Sequence, residues 1–375
     1  MRVLFVTLHN ILGEINNGGN QCTERNLKLL RRIYHEENVD LCVAMEEIPN
    51  YQDRQEVYTI PLMKSRSVEF IAGLMLHIDF TQSAEERVCE LVRKNKYDMV
   101  FFDNTKFGRI IRKLKKDKTI PGKIVVFAHN VEKDILWQRV VNENKLCLPL
   151  YVAGKYCERL ALKYSDIFLA LSRRDGDMFG RVYGREPDYI LPITFTDKHQ
   201  KECEMLLPKR SLLFTGSDYP PNVKGIRWFC REVMPYLDIP LYIVGRGLEK
   251  LRDELGNEKV KVIGSVESLT AYLQSAGAVV MPIFYGSGMK VKTAEAIMHG
   301  KRIFATIEAL AGYEIAEYGM TCCNDAESFV KAILHYFEEE KIQREIREVR
   351  QVFLQYYDTD NYEKSLADVL ERNDG

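Results

Sequence analysis

Apolar residues along the chain gather into short unbroken runs separated by longer segments of mixed polarity. "RVLFVTLH" from Arg2, "VDLCVAM" from Val39, "YDMVFFDN" from Tyr97, "KIVVFAHN" from Lys123 and "DIFLALS" from Asp166 carry apolar residues on both faces. A strand with one wet face would alternate, so these runs predict strands buried on both sides of a parallel sheet, with crossover helices between them. "ILPITFTDKHQKECEMLLPKR", Ile190 to Arg210, breaks the rhythm with proline and charge. The alternation then restarts with "SLLFTGS" from Ser211, "PLYIVGRG" from Pro240, "VKVIG" from Val260, "AVVMPI" from Ala278 and "RIFAT" from Arg302. The pattern predicts an α/β protein of two facing, Rossmann-like, doubly wound domains, residues 1–195 and 205–345, with ligands bound at the carboxyl ends of the strands. Residues 346–375 read as helices that brace the two domains.

Composition agrees with two ordinary domains. A chain of 375 residues exceeds what one core usually serves, and 46% hydrophobic with 29% charged residues is globular usage. With 53 basic against 54 acidic residues there is no overall attraction to nucleic acid, so any affinity for anions is local. The nine cysteines form no C-x-x-C pair and several lie in apolar segments, which points to a reducing compartment. The opening "MRVLFVTLHN" enters a strand directly, without the pattern of a signal peptide, so the expected location is cytoplasmic.

Local chemistry concentrates in "GSGMKVKTAEAIMHGK", Gly286 to Lys301. Following a strand, Gly286, Ser287 and Gly288 let backbone amides approach a ligand, and a helix starting near Met289 would favour an anion at its amino end. Lys290 and Lys292 add positive charge. Glu295 lies seven residues past Gly288, close to two turns along the same face, where a carboxylate can accept from sugar hydroxyls. The reading is a nucleotide, with its diphosphate at the amides and ribose at Glu295. A plain turn followed by a Lys292–Glu295 surface pair explains the same letters if the motif is taken alone.

"GSGMKVKTAEAIMHGK", "LLFTGSDYPPNVKGIRWFCREVMPYL" from Leu212 and "YIVGRG" from Tyr242 resemble the carboxyl-terminal domain of retaining GT-B glycosyltransferases, family four of the glycosyltransferase classification. "NGGNQCTERNL" from Asn17 and "FAHNVE" from Phe127 match that family's amino-domain signatures in order, so the likeness spans nearly the whole chain. The resemblance implies that Glu295 binds the ribose and that the amides of Gly288 and Met289 hold the diphosphate of a nucleoside diphosphate sugar, UDP- or GDP-linked, with no metal or other cofactor. It implies that Lys224 is one member of a basic pair that steadies the leaving diphosphate and that His129 contacts the transferred sugar; the other member falls on Ser217, so Lys290 is expected to take its place, with Lys292 adding charge. Gly18 and Gly19 resemble the family's amino-terminal glycine loop; Arg246 in "VGRG" faces the crevice by position and Val266 resembles the backbone site that recognises the base, although plain loop structure explains either as well. The family's E-x7-E pattern has Ser287 in place of its first glutamate, which leaves the sugar undetermined.

Three other readings remain at this point. A sugar-nucleotide epimerase shares the fold but needs cleft acids and bases. A noncatalytic nucleotide-sugar binder would tolerate the serine at 287. A dinucleotide oxidoreductase needs a G-x-G-x-x-G that "LHNILG" lacks. "RDGD", Arg174 to Asp177, contains a D-x-D but sits where acidic residues begin a helix, so capping is the better explanation than metal. From Lys106 to Lys118, "KFGRIIRKLKKDK" carries seven basic residues against one acidic, with Ile110, Ile111 and Leu114 at helical spacing. Such a helix either lies on an anionic membrane, implying a lipid-linked rather than a free glycan acceptor, or packs with a solvated charged face. Nucleic acid is not expected there, because no aromatic residues interleave the charge.

Overall fold

Each of the ten apolar runs becomes a parallel strand, most of whose residues are buried. The structure, a computed structural model, describes residues 1–13, 18–45, 57–63, 66–117, 122–142, 144–200, 203–286, 288–313, 319–338 and 342–372. The chain divides into two units, Met1–Pro192 with Tyr362–Gly375, and Ile193–Asn361.

Among the described residues, the first unit holds β1 (Val3–Thr7), β2 (Val39–Met45), β3 (Val57–Pro61), β4 (Met99–Phe102), β5 (Lys123–Ala128), β6 (Ile167–Ala170) and β7 (Tyr189–Ile190), ordered 3-2-1-4-5-6-7. All pairings are parallel; Val3 of β1, for example, lies opposite Val39 on one side and Met99 on the other. Every residue of β1, β2, β4 and β6 is buried, which is why these strands read as unbroken apolar runs. Helices cover the sheet, and Phe80, Phe102, Phe107, Phe168 and Phe179 fill part of the core between them.

The second unit repeats the plan with β8 (Leu212–Thr215), β9 (Leu241–Val244), β10 (Val260–Gly264), β11 (Ala278–Met281), β12 (Arg302–Ala305) and β13 (Met320–Cys322), ordered 10-9-8-11-12-13 and all parallel. In each sheet the strand order reverses direction beside the first strand, between β1 and β4 and between β8 and β11. Chains leaving neighbouring strands there part to opposite faces, which opens a crevice at the carboxyl ends.

The carboxyl-terminal helices are divided between the two units. Helix Ile342–Tyr356 belongs to the second unit and helix Glu363–Glu371 to the first. The latter is tied down where Lys123 donates to the carbonyls of Leu370 and Arg372 at 2.8 and 2.7 Å, and where the Tyr189 and Ser365 hydroxyls meet at 2.6 Å.

Candidate functional site

At the second unit's switch point the chain leaves β11 through glycines that its backbone requires. Gly286 has φ 146° and Gly288 φ 64°, a region where a Cβ is strained, so the pair is set by conformation. Ser287 lies outside the described residues. The helix begins at Val291, two residues later than the sequence suggests, because Lys290 is still extended. Met289 buries its side chain just before it. Tyr313 pins this start: its hydroxyl donates to the Lys290 carbonyl at 2.7 Å and accepts from the Ala294 amide at 3.2 Å. The Thr293 amide is spent on the Lys290 carbonyl. An approaching anion therefore meets the backbone nearer Gly288.

The charged side chains around this turn divide the work. Lys290 donates to Glu308 Oε1 and to the Gly288 carbonyl, both at 2.9 Å, so it braces the glycine turn across to a second loop. Lys292 donates to Asn222 Oδ1 at 2.8 Å and to the Thr215 carbonyl at 3.3 Å, and its ammonium lies 4.8 Å from the centre of the Phe214 ring. It thus reaches the end of β8 rather than pairing with Glu295. Burial lowers the Lys292 ammonium to about 7, with Lys290 adding to the effect and Glu295 opposing it. Glu295 is half-buried, and its carboxyl makes no hydrogen bond among the described residues. Burial pushes its carboxyl up to about 7 against the pull of Lys198 and Lys292.

Lys224, exposed on helix Pro220–Glu232, holds its ammonium 5.4 Å from the Tyr285 ring centre. Asn222, which holds Lys292, lies on the same helix. Arg246 follows β9 and is exposed, its carbonyl accepting from the Asp218 amide at 2.9 Å; Val266 follows β10 and is half-buried. The structure brings Gly288, Lys290, Lys292 and Glu295 onto one turn and helix, and sets Lys224, Arg246 and Val266 after the ends of β8, β9 and β10.

The first unit's switch point holds a network that the sequence did not disclose. Asp103, wholly buried directly after β4, accepts from four side chains: Thr7 Oγ1 at 3.3 Å, Asn26 Nδ2 at 2.6 Å, His129 Nε2 at 2.9 Å, and the Thr23 hydroxyl. His9, two residues past β1, sits with Nδ1 2.7 Å from Thr23 Oγ1 and its ring 4.8 Å from that of His129, edge to face. Burial alone would discharge His129, but the Asp103 carboxylate overrides it, with Cys22 helping, and lifts the imidazole to about 10. His9 is lowered to about 4 by burial and by its charged neighbour His129. Asp103 is held below the usual carboxylate range, because the His129 charge and hydrogen bond, His9 and Thr23 outweigh its burial. The pair is therefore an imidazolium beside a neutral imidazole. His9, Asp103 and His129 are close enough to share an ion. Yet Nε2 of His129 is turned onto Asp103, and the Asp103 oxygens are taken up by four donors, so hydrogen bonding explains the cluster.

Other expectations resolve plainly. Gly18 and Gly19 form the first turn of helix Gly18–Tyr34 rather than a loop, the same helix that supplies Cys22, Thr23 and Asn26. In "RDGD" the helix Arg173–Tyr183 is capped by Ser172, whose hydroxyl accepts from the Asp175 amide at 3.2 Å, and Asp175 sits in its first turn. Lys118 lies outside the described residues. In helix Gly108–Lys116 the residues Ile110, Ile111 and Leu114 are buried, while Arg109 and Lys113 reach Glu85 at 2.8 and 2.7 Å. The apolar side of this helix is spent on the core, so a membrane would meet only its basic side.

Residues 209–339 match the family model described as glycosyl transferases group 1. This segment belongs to that family. It spans the second sheet with the glycine turn, Lys290, Lys292 and Glu295, so the group 1 match and the geometry fall on the same residues. The whole chain has the GT-B fold. It superposes on sucrose-phosphate synthase from Thermosynechococcus elongatus with a TM-score of 0.73 at 14% identity, covering 98% of each chain. HepE from Anabaena in complex with UDP gives 0.69 at 14% identity over 99% of each chain. WaaG, a glycosyltransferase involved in lipopolysaccharide biosynthesis, gives 0.68 at 15% identity over 99% of this chain and 100% of that one. No curated protein matches the chain by sequence.

Proposed function

We propose that the protein transfers a sugar from a nucleoside diphosphate donor to an acceptor hydroxyl with retention of anomeric configuration. The observation that carries this reading is Glu295, a half-buried carboxylate without a hydrogen bond among the described residues, standing two turns beyond a positive-φ glycine turn at a switch point. The diphosphate would lie at the amides of Gly288 and Met289, with Lys224, Lys290 and Lys292 offsetting the charge that grows on it as the glycosidic bond breaks. Glu295 would accept from the ribose hydroxyls, and Val266 and Arg246 would border the nucleotide. His129, whose Nε2 donates to Asp103, is assigned to the transferred sugar as a positive charge beside it, since an imidazolium has no lone pair with which to act as a base. Gly18 and Gly19 are assigned to the acceptor side.

A uridine donor is supported by HepE, which binds UDP and UDP-glucose in its solved complexes. A glycan or lipid-linked acceptor in surface polysaccharide or glycoconjugate synthesis is in keeping with WaaG, a glycosyltransferase involved in lipopolysaccharide biosynthesis; a cytoplasmic location belongs to the same reading. No described helix is long and apolar enough to cross a membrane. Incubation with a panel of nucleoside diphosphate sugars tests the donor assignment. One member at 100 times its dissociation constant is expected to stabilise the protein by about 2.7 kcal/mol. No shift with any member would remove the donor site.

The two groups near 7 also predict the pH dependence of donor binding. Ribose hydroxyls prefer the ionised Glu295, so affinity should rise with pH up to about 7 as that carboxyl loses its proton. A diphosphate prefers the charged Lys292, so affinity should fall again above about 7 as the amine is discharged. Isothermal titration across this range should give a bell. Glu295→Gln should flatten its acid limb and Lys292→Met its alkaline limb; an unchanged bell in both variants would refute the assignments.

A further inference from the structure

The first unit exposes large apolar side chains at helical spacing, where singly scattered ones would be ordinary. Helix Arg66–Leu74 turns Val68, Ile71 and Leu74 outward, three residues apart, with Met75 next; Leu74 is 63% and Met75 66% exposed. Helix Glu132–Asn142 exposes Trp137 and Val141, four residues apart. The turn Lys145–Cys147 leads through Leu146, 65% exposed, into helix Leu148–Tyr164, which opens on exposed Leu148 and Val152.

These segments are neighbours. Helices 66–74 and 132–142 both pack on helix 148–164. Gly73 lies so close to Pro149 that a Cβ there would stand 3.0 Å from its carbonyl carbon, and the Trp137 and Tyr151 rings are 5.2 Å apart. Beneath them Ile78, Leu136, Leu150, Ala153 and Cys157 form a small core of their own. The exposed side chains therefore form the outer face of one packed layer.

The outer stripe of helix 148–164 changes character along its length. After Leu148 and Val152 it continues as exposed Lys155, Arg159 and Lys163, four residues apart, while Glu158, the one acid on this helix, is buried. Lys155, Arg159 and Arg185 line shallow grooves beside Tyr156 and Tyr183. An apolar face with an exposed tryptophan that runs into a cationic row complements an anionic bilayer, whose acyl boundary takes the apolar side chains and whose phosphates take the basic ones.

We propose that this face of the first unit docks reversibly on an anionic phospholipid surface. The surface is distinct from helix Gly108–Lys116, whose apolar side is buried, and the inference does not rest on the donor reading. It bears on the acceptor nonetheless. Glu69 and Ile135, from the same two outer helices, line a 370 Å³ crevice with His9, Asn104 and Lys106 at the switch point, so docking would set that crevice beside the lipid headgroups.

Cosedimentation with vesicles of phosphatidylcholine, alone or mixed with phosphatidylglycerol, tests the proposal. The protein is expected to sediment only with the anionic vesicles, and less as salt is raised to about 0.5 M. The exposed double variants Leu74→Glu with Leu146→Glu, and Lys155→Glu with Arg159→Glu, should each cut the bound fraction about tenfold. Thermal stabilisation by the donor sugar nucleotide should be unchanged in both, which separates this test from that of the donor site. A blue shift of Trp137 fluorescence on adding anionic vesicles needs no stability in any variant. Wild-type protein left in the supernatant with both vesicle types, or variants that bind as well as wild type, would overturn the proposal. So would a wild-type dimer that the Leu74 and Leu146 variant dissociates, since the face would then join two copies of this chain.

Discussion

Replacing Glu295 with alanine is expected to weaken donor binding about 10- to 100-fold while leaving the free protein as stable as wild type or more so. A hydrogen bond to a charged acceptor is worth roughly 1.5–3 kcal/mol, which sets the size of the loss. The second half of the expectation separates a binding role from a structural one. Burial already holds the Glu295 carboxyl at about 7, so its ionised form is penalised in the folded protein. A group whose folded pKa is raised contributes stability below its unfolded value and loses that contribution as pH rises through the folded value, here between about 4.5 and 7. At neutral pH the carboxylate is therefore a liability to the fold, and alanine removes it. A structural ion pair would behave oppositely, losing stability with the substitution. Calorimetric titration of the donor and denaturant unfolding of the free protein, read side by side, decide between them; unchanged affinity would end the ribose assignment.

What the sequence discloses follows from how local each constraint is. The ten strands that read as apolar runs are legible because burial on both faces leaves few polar positions in them; even β10, at an edge, exposes only Lys261. β3, β7 and β13 are not, since they are short, lie at or next to a sheet edge and keep partly exposed residues, as in the half-buried Val57, Tyr58 and Thr59. The glycine turn and helix of the second unit are legible because one continuous stretch carries both the backbone demand and the charges. The Asp103 network is not, because Thr7, Thr23, Asp103 and His129 come from separate elements joined only by strand order. Each is a single polar residue near the end of a strand or on a helix. A signal was nonetheless present, since the apolar runs containing β1, β4 and β5 end in "LH", "FDN" and "AHN", and a doubly wound sheet sets those three ends side by side. Faces are harder still. Ile110, Ile111 and Leu114 share a helix face that packs into the core, while Ile71, Leu74 and Leu146, equally apolar, face water. Periodicity fixes which residues share a face of a helix; only packing partners from distant sequence fix which way that face points.

Asp103→Asn is expected to destabilise the protein by about 3–5 kcal/mol at neutral pH, the usual cost of removing one partner from a buried ion pair. The side chain keeps its size and can still accept from Thr7 or Thr23, so the loss reports the charge more than the packing. With Asp103 present, His129 is held at about 10 against an ordinary value of 6.5. A raised folded pKa means that this contribution is complete below about 6.5 and is lost as pH climbs through 10. Urea unfolding of the wild type at pH 6, 8 and 10 should accordingly show stability falling across that window, and the fall should largely vanish in Asp103→Asn, where burial returns His129 to its neutral form. The same variant separates two uses of the histidine in catalysis. If the His129 imidazolium serves the transferred sugar through its charge, discharging it should lower kcat at pH 7 by one to two orders of magnitude, about 1.4–2.7 kcal/mol of transition-state stabilisation. If it serves instead as a base, discharging it should raise kcat at neutral pH. A variant that loses stability with its kcat unchanged would confine the network to holding the ends of β1, β4 and β5 together.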